Sequence, residues 1–362
     1  MRVVFITSGG TTSRGGMGRM ALYLTQEFQR RHVALRVRVL DSYGPGHAAL
    51  MPFYFLKCFI GLGMLCIVRR PDLVHLNLAA HGSTLRKLLL MRLAQTFRVP
   101  TILHIHASKF IPFCESLGPG SRRLLIQSLS RASRIVVIGE YWRRYLVETL
   151  GVAPEIVMVI HNGVPLRAAA APRAGNVRCR ILALGLLGPR KGTYELLDAL
   201  AAPAMRELNW EAVIAGNGTV ETSRERAAAL GLADRVQIPG WVDAATVSRL
   251  LATADIFVLP SHNEGLPVAV LEAMAAGLAV VTTPVGAIPE LVIAEETGIL
   301  VPPGSASALS GALAELVRNP DLRVRLGKNA RERVETRFRI EVTAERFVTL
   351  YRTLTSVDYK SR

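Results

Sequence analysis

A chain of 362 residues that is 50% hydrophobic and 20% charged can fill two domain cores, which excludes a disordered tail, a collagen-like repeat and a small disulfide-framed domain. The net charge of +16 sits in one half: residues 1–165 carry 21 Lys and Arg against 7 Asp and Glu, whereas residues 166–362 carry 23 against 21. The first half therefore asks for an anionic partner, whether nucleic acid, a phospholipid surface or a phosphorylated acceptor.

Short β-branched apolar runs alternate with helical patterns along the whole chain. Strands are predicted at 2–7, 35–40, 72–77, 101–106, 134–138 and 156–160, then at 179–185, 210–215, 235–238, 255–260, 279–283 and 298–301. Such continuous apolar runs suit strands buried on both faces, hence parallel sheets covered by helices. The expected fold class is α/β: two Rossmann-like, doubly wound parallel-sheet domains, with ligands at the strand carboxyl ends and a cleft between the domains. The first domain spans 1–165. A stretch without period, 166–178, follows as a linker of small residues and proline, and the second domain spans 179–340.

Residues 48–68 match a membrane span in length, but Pro52 and Lys57 interrupt the run and it falls between two strands of one sheet. They read as a domain helix partly exposed at a membrane surface. Cys58, Cys66, Cys114 and Cys179 form no C-x-x-C pair and read as reduced core thiols of a cytoplasmic protein. The chain opens directly on a strand-like run, and no signal peptide is expected.

The chemistry concentrates in 255–290, DIFVLPSHNEGLPVAVLEAMAAGLAVVTTPVGAIPE, which reads strand, loop, helix, strand, loop. Pro267 suits the first turn of that helix and Gly277 its end. A strand leading through a Gly-containing loop into a helix offers backbone N–H groups and a positive dipole end to a phosphate. Carboxylates there would repel phosphate. Glu264 and Glu272, spaced E-x7-E, suit hydroxyls instead, as on a sugar and a ribose. Phosphates beside hydroxyls describe a nucleotide sugar.

This segment resembles the signature of family 4 retaining glycosyltransferases of GT-B fold. Supporting pieces occur in the family's order: Gly15-Gly16-x-Gly18, the strand ending at His106, Asn162-Gly163-Val164, Lys191-Gly192, Gly216-x-Gly218 and Gly240-Trp241-Val242. The resemblance implies that Glu264 binds donor-sugar hydroxyls near the reacting face, Glu272 holds the ribose and Lys191 neutralises the diphosphate. It further implies that the backbone of Gly265, Leu266, Pro267 and Val268 cradles the diphosphate while Gly15 and Gly16 close on it. His106 would contact the sugar, Val242 would border the base, and a final helix within 341–362 would cross back to the first domain. No metal and no cofactor are implied; the donor, linked to UDP or GDP, is itself the substrate. The implied acceptor is a lipid-linked glycan of a surface polysaccharide, met at the inner face of an anionic membrane.

One position departs from the family. Where it reads G-R-L before K-G, this chain has Gly185-Leu186-Leu187 and then Gly188-Pro189-Arg190-Lys191. Leu186 thus occupies the place of an arginine that holds the diphosphate, and Arg190 is the candidate substitute. This leaves open an inactive GT-B partner subunit. A second alternative is an NAD(P)-dependent dehydrogenase, since Gly16-x-Gly18-x-x-Ala21 with Asp41 matches a dinucleotide fingerprint. Against it, eight or so residues separate strand 2–7 from the glycines, where the fingerprint needs a tight turn. A nucleic-acid module is disfavoured by 6% aromatic residues and the lack of any recognised motif.

Overall fold

The structure, a computed structural model, describes residues 1–10, 15–31, 34–44, 48–106, 108–166 and 178–359. The chain divides into two units, Met1–Gly163 with Ile340–Arg362, and Val164–Arg339. Most of the sequence-read linker lies outside the described residues.

The first unit holds strands β1 (Arg2–Thr7), β2 (Arg36–Asp41), β3 (Leu73–Leu78), β4 (Thr101–Ile105), β5 (Arg134–Val137) and β6 (Val157–Val159). They pair in parallel in the order β2-β1-β3-β4-β5-β6. Strand β3 is buried along its full length, as a central parallel strand covered on both faces must be. The last helix, Ile340–Tyr359, belongs to this unit and lays Phe347 and Tyr351 against His75 of β3.

The second unit holds β7 (Cys179–Leu184), β8 (Trp210–Ala215), β9 (Val236–Gly240), β10 (Ile256–Leu259), β11 (Ala279–Thr282) and β12 (Ile299–Leu300). These also run parallel, in the order β12-β11-β10-β7-β8-β9. Its core joins Ile181, Ile214, Ile256, Val258 and Val281 from the sheet to Leu196, Leu200 and Leu313 from helices. Helix starts follow local capping chemistry. Asp243 Oδ1 accepts from the Thr246 amide at 2.7 Å, and Asn319 Oδ1 accepts from the Leu322 amide at 3.0 Å with Pro320 opening the helix.

Helix Met51–Val68 occupies the run that resembled a membrane span. Pro52 falls in its first turn, where a missing N–H costs nothing, so the proline starts the helix instead of breaking it. Only Cys58, Leu62, Leu65 and Cys66 of the helix are buried, facing helix Gly82–Thr96. All four cysteines of the chain are buried thiols.

Candidate active site

In the second unit the strand order reverses between β7 and β10, so the loops after these two strands flank the crevice where open parallel sheets receive ligands. Lys191 stands on the first loop and Glu264 on the second. The Lys191 ammonium pairs with Glu264 Oε1, which also accepts from the Ser261 hydroxyl at 2.8 Å. Glu264 is only 6% exposed, and these partners offset the hydration that an enclosed carboxylate gives up.

Backbone contacts fix the two loops to each other. The His262 amide donates to the Arg190 carbonyl at 2.9 Å, and Arg190 Nη1 donates to the Asn263 carbonyl at 3.1 Å. The crossing is so close that a Cβ on Gly192 (φ +68°) would stand 2.0 Å from the Pro260 carbonyl oxygen. Behind them, the loop after β11 supports the Glu264 loop. The Ala287 amide donates to the Gly265 carbonyl at 3.1 Å, and a Cβ on Gly286 (φ +60°) would meet the Glu264 carbonyl oxygen at 2.1 Å. Glycine is required at both places.

The chain passes from Glu264 through Gly265, Leu266 and Pro267, all buried, into helix Val268–Ala275. Pro267 is the residue that caps this helix and not a member of its first turn: its φ of −70° and ψ of 118° are extended. It also brings no N–H, so a cradle of amides from Gly265 to Val268 has a gap at Pro267. Glu272, 7% exposed, lies within the helix. Leu186 is 53% exposed on the loop after β7. The loop after β8 is tied on one side to the loop after β7, Leu187 N to Asn217 O at 2.6 Å, and on the other to the end of β9, Gly216 N to Gly240 O at 2.8 Å. Val242 follows β9 at the edge of the sheet, two strands from β7.

The first unit reverses its strand order between β1 and β3. Gly15 and Gly16 are exposed at the start of helix Gly16–Arg31, which follows β1. His106, half-buried after β4, hydrogen-bonds through Nε2 to Asn77 Oδ1 at 3.2 Å and lies against the His104 ring at 3.8 Å. The two imidazoles thus lie on one face, as side chains two residues apart on an extended chain do. Beneath His106, Tyr351, His75 and His104 form a buried chain, with Tyr351 Oη 2.6 Å from His75 Nδ1 and His75 Nε2 3.1 Å from His104 Nδ1. Burial pulls His75 and His106 down to about 3 and His104 well below its ordinary value, with their mutual repulsion adding for His75 and His104. These imidazoles are neutral near pH 7.

Asp41, half of the dinucleotide fingerprint, is occupied within the protein. Its Oδ1 accepts from the amides of Gly9, Tyr43 and Gly44, bracing the loops after β1 and β2. Sequence reasoning missed Ser261, although it lies in the same motif three residues before Glu264. It also missed Lys87, fully buried with its ammonium donating to Ser8 Oγ at 3.1 Å and Ser42 Oγ at 2.5 Å, its affinity for a proton lowered by burial to about 7. A lysine in a helical pattern reads as solvated, and no local signal marks this one.

Two six-stranded parallel sheets with a cation and a carboxylate at the strand-order reversal define a GT-B glycosyltransferase architecture. The chain is similar to sucrose-phosphate synthase of Thermosynechococcus elongatus, with a TM-score of 0.81 and 22% identity over 99% of this chain and 100% of that one. It is likewise similar to Anabaena HepE, solved in complex with UDP-glucose, with a TM-score of 0.76 and 18% identity over 98% and 100% of the two chains. Residues 14–168 match the model of Glycosyltransferase Family 4, and residues 176–333 match that of Glycosyl transferases group 1. The chain belongs to the family 4 glycosyltransferases. Over 241 residues it is 30% identical to a Salmonella typhimurium protein provisionally named a colanic acid biosynthesis glycosyltransferase. That alignment takes in 63% of this chain and 58% of the relative's length. The family match displaces the dehydrogenase alternative.

Proposed function

We propose that this chain is a retaining hexosyltransferase that uses a UDP- or GDP-linked sugar and works without a metal ion. The ion pair of Lys191 and Glu264 carries the reading. Within the pair each charge neutralises the other; a donor answers both, its diphosphate taking up the ammonium while its sugar hydroxyls donate to the carboxylate. Glu272 accepts from the ribose, and the start of helix Val268–Ala275 adds its dipole to the charge on the leaving group. Val242 borders the base. The bond from the anomeric carbon to the diphosphate oxygen breaks as the acceptor oxygen bonds on the same face, and the acceptor proton passes to the departing phosphate.

The acceptor in this reading is a lipid-linked glycan of a surface polysaccharide, in keeping with the name of the Salmonella relative. The basic first half then faces an anionic membrane from the cytoplasm, where each basic residue near the surface contributes about 1 kcal/mol. A thermal-shift panel of UDP-glucose, UDP-galactose, UDP-N-acetylglucosamine, GDP-mannose and NADH tests the donor class. Stabilisation by one nucleotide sugar, lost in Lys191→Met, is expected; stabilisation by NADH alone would refute it. Leu186 favours one second reading, a partner subunit without turnover. Release of free nucleotide diphosphate in the presence of acceptor-bearing membranes separates the two.

A further inference from the structure

Helix Met51–Val68 turns its apolar side the wrong way for a soluble domain. At about 100° per residue, Phe53, Leu56, Ile60, Met64 and Ile67 fall within an arc of about 80°. Each of them is more than half exposed, from 55% to 64%. Cys58, Leu62, Leu65 and Cys66 lie on the opposite side and are buried. The line of the helix farthest from the protein is therefore its apolar line, where a surface helix normally places charges. The packed neighbour, Gly82–Thr96, adds Leu85 at 63% and Leu89 at 43% exposure.

Charge decides what covers this surface. Residues 42–114 contain eight Lys and Arg and a single acid, Asp72. Lys57 on the helix, Arg69 and Arg70 at its end and Arg92 on the neighbour are all exposed around the stripe. A second copy docking here would bring two basic rims together, which association disfavours. An anionic leaflet satisfies the stripe and the rim at once: acyl chains for the first, phosphates for the second.

We propose that helix Met51–Val68 is an in-plane membrane anchor, with the stripe from Phe53 to Ile67 sunk among the acyl chains of an anionic bilayer while Cys58, Leu62, Leu65 and Cys66 stay packed on the protein. Its 18-residue mean hydropathy of 1.9 matches that of a spanning helix, but the buried face needs its protein partner, so the helix lies along the membrane and does not cross it. This deepens the membrane reading above and rests on it, though not on the identity of the donor.

The test uses the full chain with vesicles of phosphatidylcholine and phosphatidylglycerol, 3:1, in flotation at low salt and in 1 M NaCl. A fraction of the binding is expected to survive high salt. Ile60→Glu with Met64→Glu is expected to weaken vesicle affinity by about tenfold or more, with an unchanged melting temperature because both sites are exposed. Ile60→Trp supplies a direct reading: vesicles are expected to shift its emission to the blue, and brominated acyl chains to quench it. Salt-abolished binding that ignores the glutamates, with no tryptophan shift, would overturn the anchor and leave a purely electrostatic membrane contact. No vesicle binding at all would overturn the anchor and the membrane reading together, as would a dimer that Ile60→Glu dissociates.

Discussion

Tyr351 and His75, 276 residues apart in the chain, form a hydrogen-bonded pair at 2.6 Å in the core of the first unit. His104 continues the chain, and burial holds all three groups neutral. An imidazole held neutral in the fold but protonated in the unfolded chain makes unfolding take up protons as the pH falls. The histidines' contribution to stability is therefore full above about pH 6.5 and is lost from there down to about pH 3, the value for His75. The unfolding free energy of the first unit, from urea titration, should already decline from pH 8 to 7, because Lys87 binds a proton less readily in the fold than in the unfolded chain, and below pH 6.5 should fall by about 1.4 kcal/mol per pH unit for each such histidine. A free energy that stays flat down to pH 5 would contradict the neutral assignment.

Removing one member of the Lys191–Glu264 pair leaves the other enclosed and uncompensated. Lys191→Met should destabilise the second unit by about 3 kcal/mol. Lys191→Met combined with Glu264→Gln should cost less than the first change alone, because no lone charge remains. Chemical denaturation of the two variants gives the comparison, and in neither should a nucleotide sugar raise the melting temperature as it is expected to in the parent.

Leu186 is the position where restoring the family's residue should improve the protein. Its exposed side chain makes Leu186→Arg neutral for stability, within about 0.5 kcal/mol. A new charge-assisted contact to the diphosphate is worth about 1.5–3 kcal/mol, so calorimetry with UDP and GDP should show at least tenfold tighter binding. Unchanged affinity would mean that Arg190 already fills the role, despite its hydrogen bond to Asn263.

Gly286→Ala should damage the site from behind. The added Cβ meets the Glu264 carbonyl oxygen at 2.1 Å with φ at +60°, so the Glu264 loop has to shift. About tenfold weaker donor binding is expected, since the misplaced carboxylate loses hydrogen bonds of about 1 kcal/mol or more. Gly151→Ala is the control: φ is also positive, at +67°, but no atom lies within 4 Å of the added carbon. It should show backbone strain in the melting temperature and no change in donor affinity.

Much of this architecture is legible in the residues because it is local. All twelve predicted strands occur, with no end displaced by more than two residues, since continuous apolar runs are the signature of doubly covered strands. Lys191, Arg190 and Glu264 are recognisable from motifs on two strand-to-loop junctions, which the strand-order reversal then brings together. Non-local facts are a different matter. That Asp41 braces two loops, that Lys87 ends on two serines, and that His75 meets a tyrosine from the last helix all depend on packing between distant segments. The composition of 48–68 marks the helix as apolar, but which side faces outward follows only from where helix Gly82–Thr96 packs.

Helix Ile340–Tyr359 completes a sheet whose strands all precede residue 160. During synthesis the second unit is made in full before Phe347 and Tyr351 exist, while the flank of β3 that they cover waits unsealed. The part of the chain made first is thus the last to reach its final form, and a truncation before residue 340 should yield a soundly folded second unit joined to a sticky, chaperone-dependent first one.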